Sequence, residues 1–195
     1  MLEQQIKAIG LSSDSKSLFL LSPSFDASVS DFGTALLAGA ALCIESDLEQ
    51  RGRLNALPEK ILQVIAERGI SYVDLPPSLL AMINPDECPS CLQTILIGGE
   101  VADAEMVRQW SDRVRLVNVY GPTEATVCTS FSICNTNWDR PLIGMPLDGV
   151  VYEIDVSKHR QKVNASDQGL QVERGELLIG GLCLATGYRL SLIHI

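Results

Sequence analysis

The chain has 195 residues, enough for one sizeable core or a little more, and its 46% hydrophobic content belongs to a folded domain rather than a disordered one. Twenty-four acidic residues against fifteen basic ones give a formal net charge of -9 with no basic stripe. That balance excludes a nucleic-acid partner, because nothing here would release its counterions. The longest uncharged apolar stretch near the start, Leu18 to Leu21, is too short for a signal segment or a membrane span, so neither export nor membrane association is expected. The six cysteines, Cys43, Cys88, Cys91, Cys128, Cys134 and Cys183, are scattered through apolar segments rather than set in a disulfide framework, which fits a reducing cytoplasm. Cys88 and Cys91 form a C-x-x-C, but no second pair follows and His159 and His194 are distant, which disfavours zinc. So few histidines also weigh against a Ser-His-Asp or Cys-His hydrolase.

Short apolar runs alternate with helical periodicity, the pattern of strands feeding helices in an α/β sheet. Phe19 to Leu21 reads as the end of a strand. Ser28 to Ala40 reads as a helix, with Val29, Phe32, Leu36, Leu37 and Ala40 on one apolar stripe, and Cys43-Ile44 as the strand after it. Leu57 to Arg68 is a second helix facing inward through Leu57, Ile61, Leu62, Val64 and Ile65, with Gly69 where a C-terminal cap belongs. Ile70 to Leu75 is a buried strand, and Pro76-Pro77 stops it and opens a helix over Ser78 to Ile83. Strand Thr94 to Ile97 ends at Gly98-Gly99, helix Ala102 to Asp112 follows, and strand Val114 to Val119 completes the unit. Beyond residue 124 the pattern changes: Ala125 to Ile133, Val150 to Val156 and Glu176 to Ile179 read as strands with no long helix between them, and Ser157 to Gly169 as a surface hairpin or loop. The expectation is a mostly parallel sheet layered with helices over residues 1–124, then a β-rich portion over 125–190.

Several turns fall at the carboxyl ends of the expected parallel strands: Ser24 to Ser28, Asp74 to Ser78, Gly98 to Glu100, and Val119 to Glu124. Open α/β sheets bind ligands at that edge. In Asn118-Val119-Tyr120-Gly121-Pro122-Thr123-Glu124 a strand breaks into a turn bearing an aromatic face for a purine, a hydroxyl for a phosphate and a carboxylate for magnesium. A plain strand-to-strand turn accounts for Gly-Pro equally well. Phe25-Asp26-Ala27-Ser28 sets a carboxylate before a helix among small residues, and either Asp26 or Ser28 can be read as its N-cap.

Taken in order, Phe25-Asp26-Ala27-Ser28, Leu75-Pro76-Pro77-Ser78, Ile97-Gly98-Gly99-Glu100, Asn118-x-Tyr120-Gly121-Pro122-Thr123-Glu124, Ile143-Gly144-x-Pro146, and Gly175-Glu176-Leu177-x-Ile179-x-Gly181 with Ala185-x-Gly187-Tyr188 resemble the adenylation domains of nonribosomal peptide synthetases. These belong to the adenylate-forming superfamily that includes acyl-CoA synthetases and firefly-type luciferases. The resemblance implies part of the large N-terminal core of that fold. It also implies attack of an amino-acid carboxylate on the α-phosphate of ATP, followed by transfer to the phosphopantetheine thiol of a carrier domain. By match to the family motifs, Tyr120 stacks on adenine, while Asn118, Gly98 and Gly99 meet its edge. Glu100 and Gly121 complete the nucleotide wall, Thr123 contacts the α-phosphate, and Glu124 holds Mg2+. Asp26 pairs with the substrate ammonium, and the pocket comprises Asp26, Ala27, Ser30, Asp74, Leu96, Gly98, Val119, Val127 and Cys128. Ser30 and Asp74 make that pocket similar to those that take glutamine or glutamate, with a cationic side chain paired to Asp74 as an alternative.

Departures from the family pattern bear on activity. No Ser/Thr/Gly-rich phosphate loop ending in Pro-Lys-Gly occurs, nor the Thr-Gly-Asp motif after Gly187-Tyr188, nor a C-terminal domain with its lysine. The sequence resembles an internal piece of an adenylation domain, and residues 191–195 do not continue the pattern. Little adenylate formation by this polypeptide alone is therefore expected. An acyl-CoA-type ligase and a non-catalytic α/β binding module are the other readings, the first disfavoured by Asp26.

Overall fold

The structure, a computed structural model, describes residues 1–45, 58–157 and 174–188. In chain order its elements are α1 (Leu2–Ile9), β1 (Lys16–Leu18), α2 (Ala27–Leu37), β2 (Ala41–Cys43), α3 (Pro58–Arg68), β3 (Tyr72–Leu75), α4 (Pro77–Leu80), β4 (Thr94–Gly98), α5 (Ala104–Ser111), β5 (Arg115–Tyr120), β6 (Ser130–Ile133), β7 (Met145–Pro146), β8 (Val150–Asp155) and β9 (Glu176–Gly181). Among the described residues β1 to β7 form a seven-stranded sheet in the order β2-β1-β3-β4-β5-β6-β7. Strands β1 to β5 run parallel, and β6 and β7 add antiparallel edges. Strands β8 and β9 make a separate antiparallel pair.

Alternation along the parallel strands sends side chains to two different cores. Leu18, Val73, Leu75, Ile95, Ile97 and Leu116 face α3, α4 and α5 and join Ile61, Ile65, Leu80, Val107 and Trp110 in the larger core. Tyr72, Leu96 and Val117 face the other way and meet Ile9 of α1 in a smaller one. Two-sided burial explains why β3 and β4 read as continuous apolar runs.

Helix α3 follows the sequence expectation: Ile61, Leu62, Val64 and Ile65 are buried and Gly69 has φ +64°, while Leu57 lies outside the described residues. Helix α5 is capped by Asp103, whose carboxylate accepts from the N–H groups of Glu105 and Met106.

Five expectations are corrected. The first strand lies earlier, at Lys16–Leu18, although the Phe19 N–H still reaches the Cys43 carbonyl. Likewise β2 ends at Cys43, and α4 stops at Leu80. Helix α2 buries the opposite face from the apolar stripe: Ser28, Ser30, Asp31, Gly33, Thr34 and Ala35 are inside, while Leu36 and Leu37 are 62% and 63% exposed. Its polar groups find local partners, with Ser30 donating to Gln5, Asp31 accepting from the Leu20 N–H, and Thr34 donating to the Ser30 carbonyl. Finally, Ala125 to Ile133 is not one strand. Thr123–Ala125 is a 3-10 turn, Thr126 and Val127 take φ of +60° and +67°, and pairing begins only at Ser130. The expected hairpin over residues 157–169 lies outside the described residues apart from Ser157.

Candidate active site

The carboxyl ends of β3, β4 and β5 open on the α1/α2 side into a cavity of about 130 Å³. Asp26, Ala27 and Ser30 from the start of α2 form one wall, and Asp74, Gly98, Gly99 and Val119 from the strand ends form the floor. Gly121, Val127 and Cys128 close it from the loop after β5, and Gln5 of α1 projects in from the far side. Eight of the nine expected substrate-pocket residues line this space. The ninth, Leu96, does not: it sits beside Asp74 in register but is closed over by Ile9 of α1 and packed with Tyr72 and Val117. A wider cleft of about 420 Å³ continues outward, lined by Phe25, Asp26, Pro76, Ser78, Gly98, Gly99 and Glu100 among others. Among the described residues no lysine or arginine lines either space.

Two glycines are required here by contact. A Cβ on Gly121 would stand 2.5 Å from the Val127 carbonyl oxygen and 2.8 Å from both the Cys128 Cα and the Thr129 N. A Cβ on Gly98 would meet the Val119 side chain at 2.6 Å. The loop that presses on Gly121 holds Val127, a β-branched residue, in the left-handed region. Such strain persists where surrounding structure over-determines it, and here the Thr129 N–H and hydroxyl both bond the Tyr120 carbonyl, at 2.8 and 3.0 Å.

Asp26 stands at the N-cap position of α2 with helical dihedrals, φ −63° and ψ −28°, and its side chain makes no capping bond. Its half-buried carboxylate therefore lines the cavity free of the duty that the sequence alone allowed it. Glu100 is engaged instead: its two oxygens accept from the backbone N–H and hydroxyl of Ser78, at 2.9 and 3.0 Å, tying the loop after β4 to the start of α4. The Asn118 amide donates to the Leu142 carbonyl at 2.9 Å and leaves its Oδ1 buried without a partner. Tyr120, 37% exposed, ends β5 next to Gly121, and neither it nor Asn118 lines the cavity.

Thr123 and Glu124 are exposed on the 3-10 turn. The segment after β9 docks there: the Ala185 N–H donates to the Glu124 carbonyl at 2.7 Å, the Thr126 hydroxyl to the Cys183 carbonyl, and the Tyr188 hydroxyl to Glu124 Oε1 at 3.0 Å. Accepting that bond, Glu124 pushes the Tyr188 phenol above its ordinary value, and the more weakly felt Asp26 carboxylate pushes the same way. The other Glu124 oxygen accepts no hydrogen bond among the described residues. No group of three acidic, histidine or cysteine side chains that could cage a metal occurs among the described residues. A single carboxylate oxygen, with the rest of the shell from phosphates and water, fits the usual habit of Mg2+.

Beneath the cavity Asp74 is 7% exposed and Asp31 fully buried. Burial first, and the neighbouring Asp31 second, raise Asp74 well above the usual carboxylate range. Burial likewise pushes the Cys128 thiol up to about 11. Sequence reasoning missed Gln5 and Asp31. The available signal was their type in their place: Gln5 interrupts the apolar face shared by Leu2, Ile6 and Ile9, and Asp31 falls inside a helix.

Sheet order, a cleft at the parallel strand ends and a Gly-Pro-Thr-Glu turn whose glycine lines that cleft point to a nucleotide-dependent activating fold, and comparison with known proteins agrees. The family model "AMP-binding enzyme" matches residues 1–189, and the chain belongs to that family. It is 40% identical over 179 residues, 90% of its length, to the probable non-canonical nonribosomal peptide synthetase CymA of Salinispora arenicola, and 39% identical over 184 residues, 94% of its length, to a linear gramicidin synthase of Brevibacillus parabrevis. It spans only 2% of each of those relatives. The solved structure of PA1221, a nonribosomal peptide synthetase protein containing adenylation and PCP domains, superposes with TM-score 0.73 at 29% identity, covering 93% of this chain and 36% of that one. The chain is thus of the nonribosomal peptide synthetase adenylation type, and its mostly parallel sheet is part of the N-terminal adenylation core. Among the described residues no helix is long and apolar enough to cross a membrane.

Proposed function

We propose that these residues activate an amino acid with ATP, forming an aminoacyl-adenylate that is loaded onto the phosphopantetheine thiol of a carrier domain. The observation that carries this reading is Asp26: a carboxylate with no capping bond on the wall of the cavity that Gly121, the first residue of the Gly121 to Glu124 turn, also lines. A substrate ammonium bound there would gain a charge-assisted bond of roughly 1.5–3 kcal/mol in partly desolvated surroundings. Held by that contact, the substrate carboxylate is directed toward the Thr123–Glu124 turn, and most of the rate comes from positioning and charge neutralisation. ATP supplies the electrophilic α-phosphate and Mg2+ offsets its charge. On the protein side Tyr120 offers its ring to adenine, with Asn118, the Gly98-Gly99 backbone and the Glu100-braced loop at its edge. Thr123 offers its hydroxyl to the α-phosphate and Glu124 its free oxygen to the cation. The polar groups Ser30 and Asp74 support a polar side chain such as that of glutamine or glutamate. A carrier partner is supported by PA1221, described as containing adenylation and PCP domains.

The test is amino-acid-dependent ATP and pyrophosphate exchange in a full-length adenylation domain containing these residues, wild type and Asp26→Ala. Asp26→Ala should raise KM for the amino acid by tenfold or more, on the order of the bond's worth. A ligase of simple carboxylic acids would be indifferent to the change, and an inert binding module would show no exchange at all.

A further inference from the structure

Resting on the reading above, we propose that the hydroxyl of Tyr152 is a positioning group for this site: by holding Thr129 it locks the loop from Gly121 to Cys128, so that the β8/β9 pair fixes where the turn residues meet the nucleotide. The loop closes on itself, because the Thr129 N–H and hydroxyl both bond the Tyr120 carbonyl, at 2.8 and 3.0 Å. Tyr152 lies on β8, and its hydroxyl oxygen stands 2.6 Å from Thr129 Oγ1. A hydroxyl carries a single proton, and that of Thr129 is spent on the Tyr120 carbonyl. Tyr152 is therefore the donor, and the three groups form one directed chain. Hydrogen bonds in series polarise one another, and this series is enclosed, with Thr129 fully buried and Tyr152 half-buried.

Among the described residues the β8/β9 pair and the segment after it grip this loop at Glu124, Thr126 and Thr129. The Ala185 N–H and the Tyr188 hydroxyl hold Glu124, and the Thr126 hydroxyl donates to the Cys183 carbonyl at 2.5 Å. Between these holds Thr126 and Val127 keep φ of +60° and +67°, a conformation that such residues retain only under constraint from their surroundings. Glu124, Thr126, Ala185 and Tyr188 are exposed, so water competes for those bonds, whereas the hold on Thr129 is shielded. Slack at Thr129 reaches both halves of the site. The loop it closes carries Gly121, Val127 and Cys128, which line the cavity, and the Thr123 and Glu124 side chains offered to phosphate and cation. The backbone of Thr129 stays tied by its carbonyl, which accepts from the Leu147 N–H at 2.8 Å, so loss of the phenolic hydroxyl changes the set of the loop rather than the fold.

The test uses a full-length adenylation domain containing these residues and the variant Tyr152→Phe, which loses the hydroxyl and keeps the ring. In hydrogen-deuterium exchange of the unliganded domain the Thr129 amide should exchange roughly three- to tenfold faster in the variant, while the amides of β3 and β4 keep their wild-type rates. Kd for AMP by calorimetry and KM for ATP in pyrophosphate exchange should rise by a similar factor. Thr129→Val removes the acceptor, and adding Tyr152→Phe to it should change neither the exchange rate nor KM further. Thr129→Ser keeps the acceptor and should keep the response to Tyr152→Phe, which also serves if Thr129→Val does not fold. Three results overturn the proposal: an unchanged Thr129 amide, a faster amide with AMP and ATP binding unchanged, or an effect of Tyr152→Phe that persists beside Thr129→Val. The second of these is the result of a purely structural role. A wild type that binds AMP but shows no amino-acid-dependent exchange overturns the amino-acid reading instead, and the amide rates and AMP affinities still decide the role of Tyr152.

Discussion

Replacing Gly121 by alanine tests whether the turn and the cavity are one rigid object. The added Cβ meets only backbone: the Val127 carbonyl oxygen at 2.5 Å, the Cys128 Cα at 2.8 Å and the Thr129 N at 2.8 Å. Carbon atoms in contact prefer about 3.5–4.0 Å, so Cys128 must recede by about 0.7 Å or more. It cannot do so alone, because Thr129 is held twice to the Tyr120 carbonyl and Cys128 Sγ bonds the Ser130 carbonyl. The displacement therefore moves the wall formed by Val127 and Cys128, and forced overpacking of this kind costs about 1–3 kcal/mol. For a chain of this size that is a fall in Tm of roughly 2–12 °C by thermal unfolding. In a full-length domain, misplacement near 1 Å should cost on the order of a hundredfold in kcat/KM for pyrophosphate exchange. A Gly121→Ala variant with unchanged Tm and unchanged exchange would refute the view that this backbone contact sets the cavity wall.

Asp74→Asn should stabilise the chain at neutral pH. The folded state holds the Asp74 proton to higher pH than the unfolded state does, so wild-type stability falls as pH rises through and above the ordinary carboxylate range. The variant lacks that loss, and denaturant midpoints of the two proteins should diverge upward from about pH 4 and converge below it. Cys128 and Cys134, raised by burial to about 11 and about 12, stay protonated when folded, after their unfolded counterparts ionise near pH 9. Stability should accordingly drop between about pH 9 and 12. Both thiols should resist iodoacetamide at pH 8 in the native state while reacting in urea, as mass spectrometry would report. Glu100→Ala removes the acceptor for the Ser78 N–H and hydroxyl and should cost about 1 kcal/mol in denaturant unfolding, whereas Glu100→Gln should recover part of it.

Periodicity made α3, β3, β4 and β5 legible, because elements buried on one stripe or on both faces carry that burial in their residue types. The same logic misled at α2, where the inner face is closed by hydrogen bonds from Ser30, Asp31 and Thr34 rather than by apolar packing. It misled again at 125–129, where β-branched and apolar residues spell a strand but the backbone turns through two left-handed residues. Most of the residues that line the cavity were marked by motifs at the strand ends. Leu96 does not line it, because α1 covers that side chain and a motif does not say which neighbour will.

Residue types and their order along the chain were sufficient for the parallel sheet, the edge at which the cavity opens and the family, since each depends on local patterning and short motifs. Which carboxylates are free to act was settled only by the folded chain. Asp26 leaves its cap unused, Glu100 is spent on Ser78, and Asp74 shares its buried surroundings with Asp31 while Gln5 arrives from a helix about seventy residues away in sequence. Partnership and solvent access are set by neighbours brought together across the sheet, and no local pattern records them.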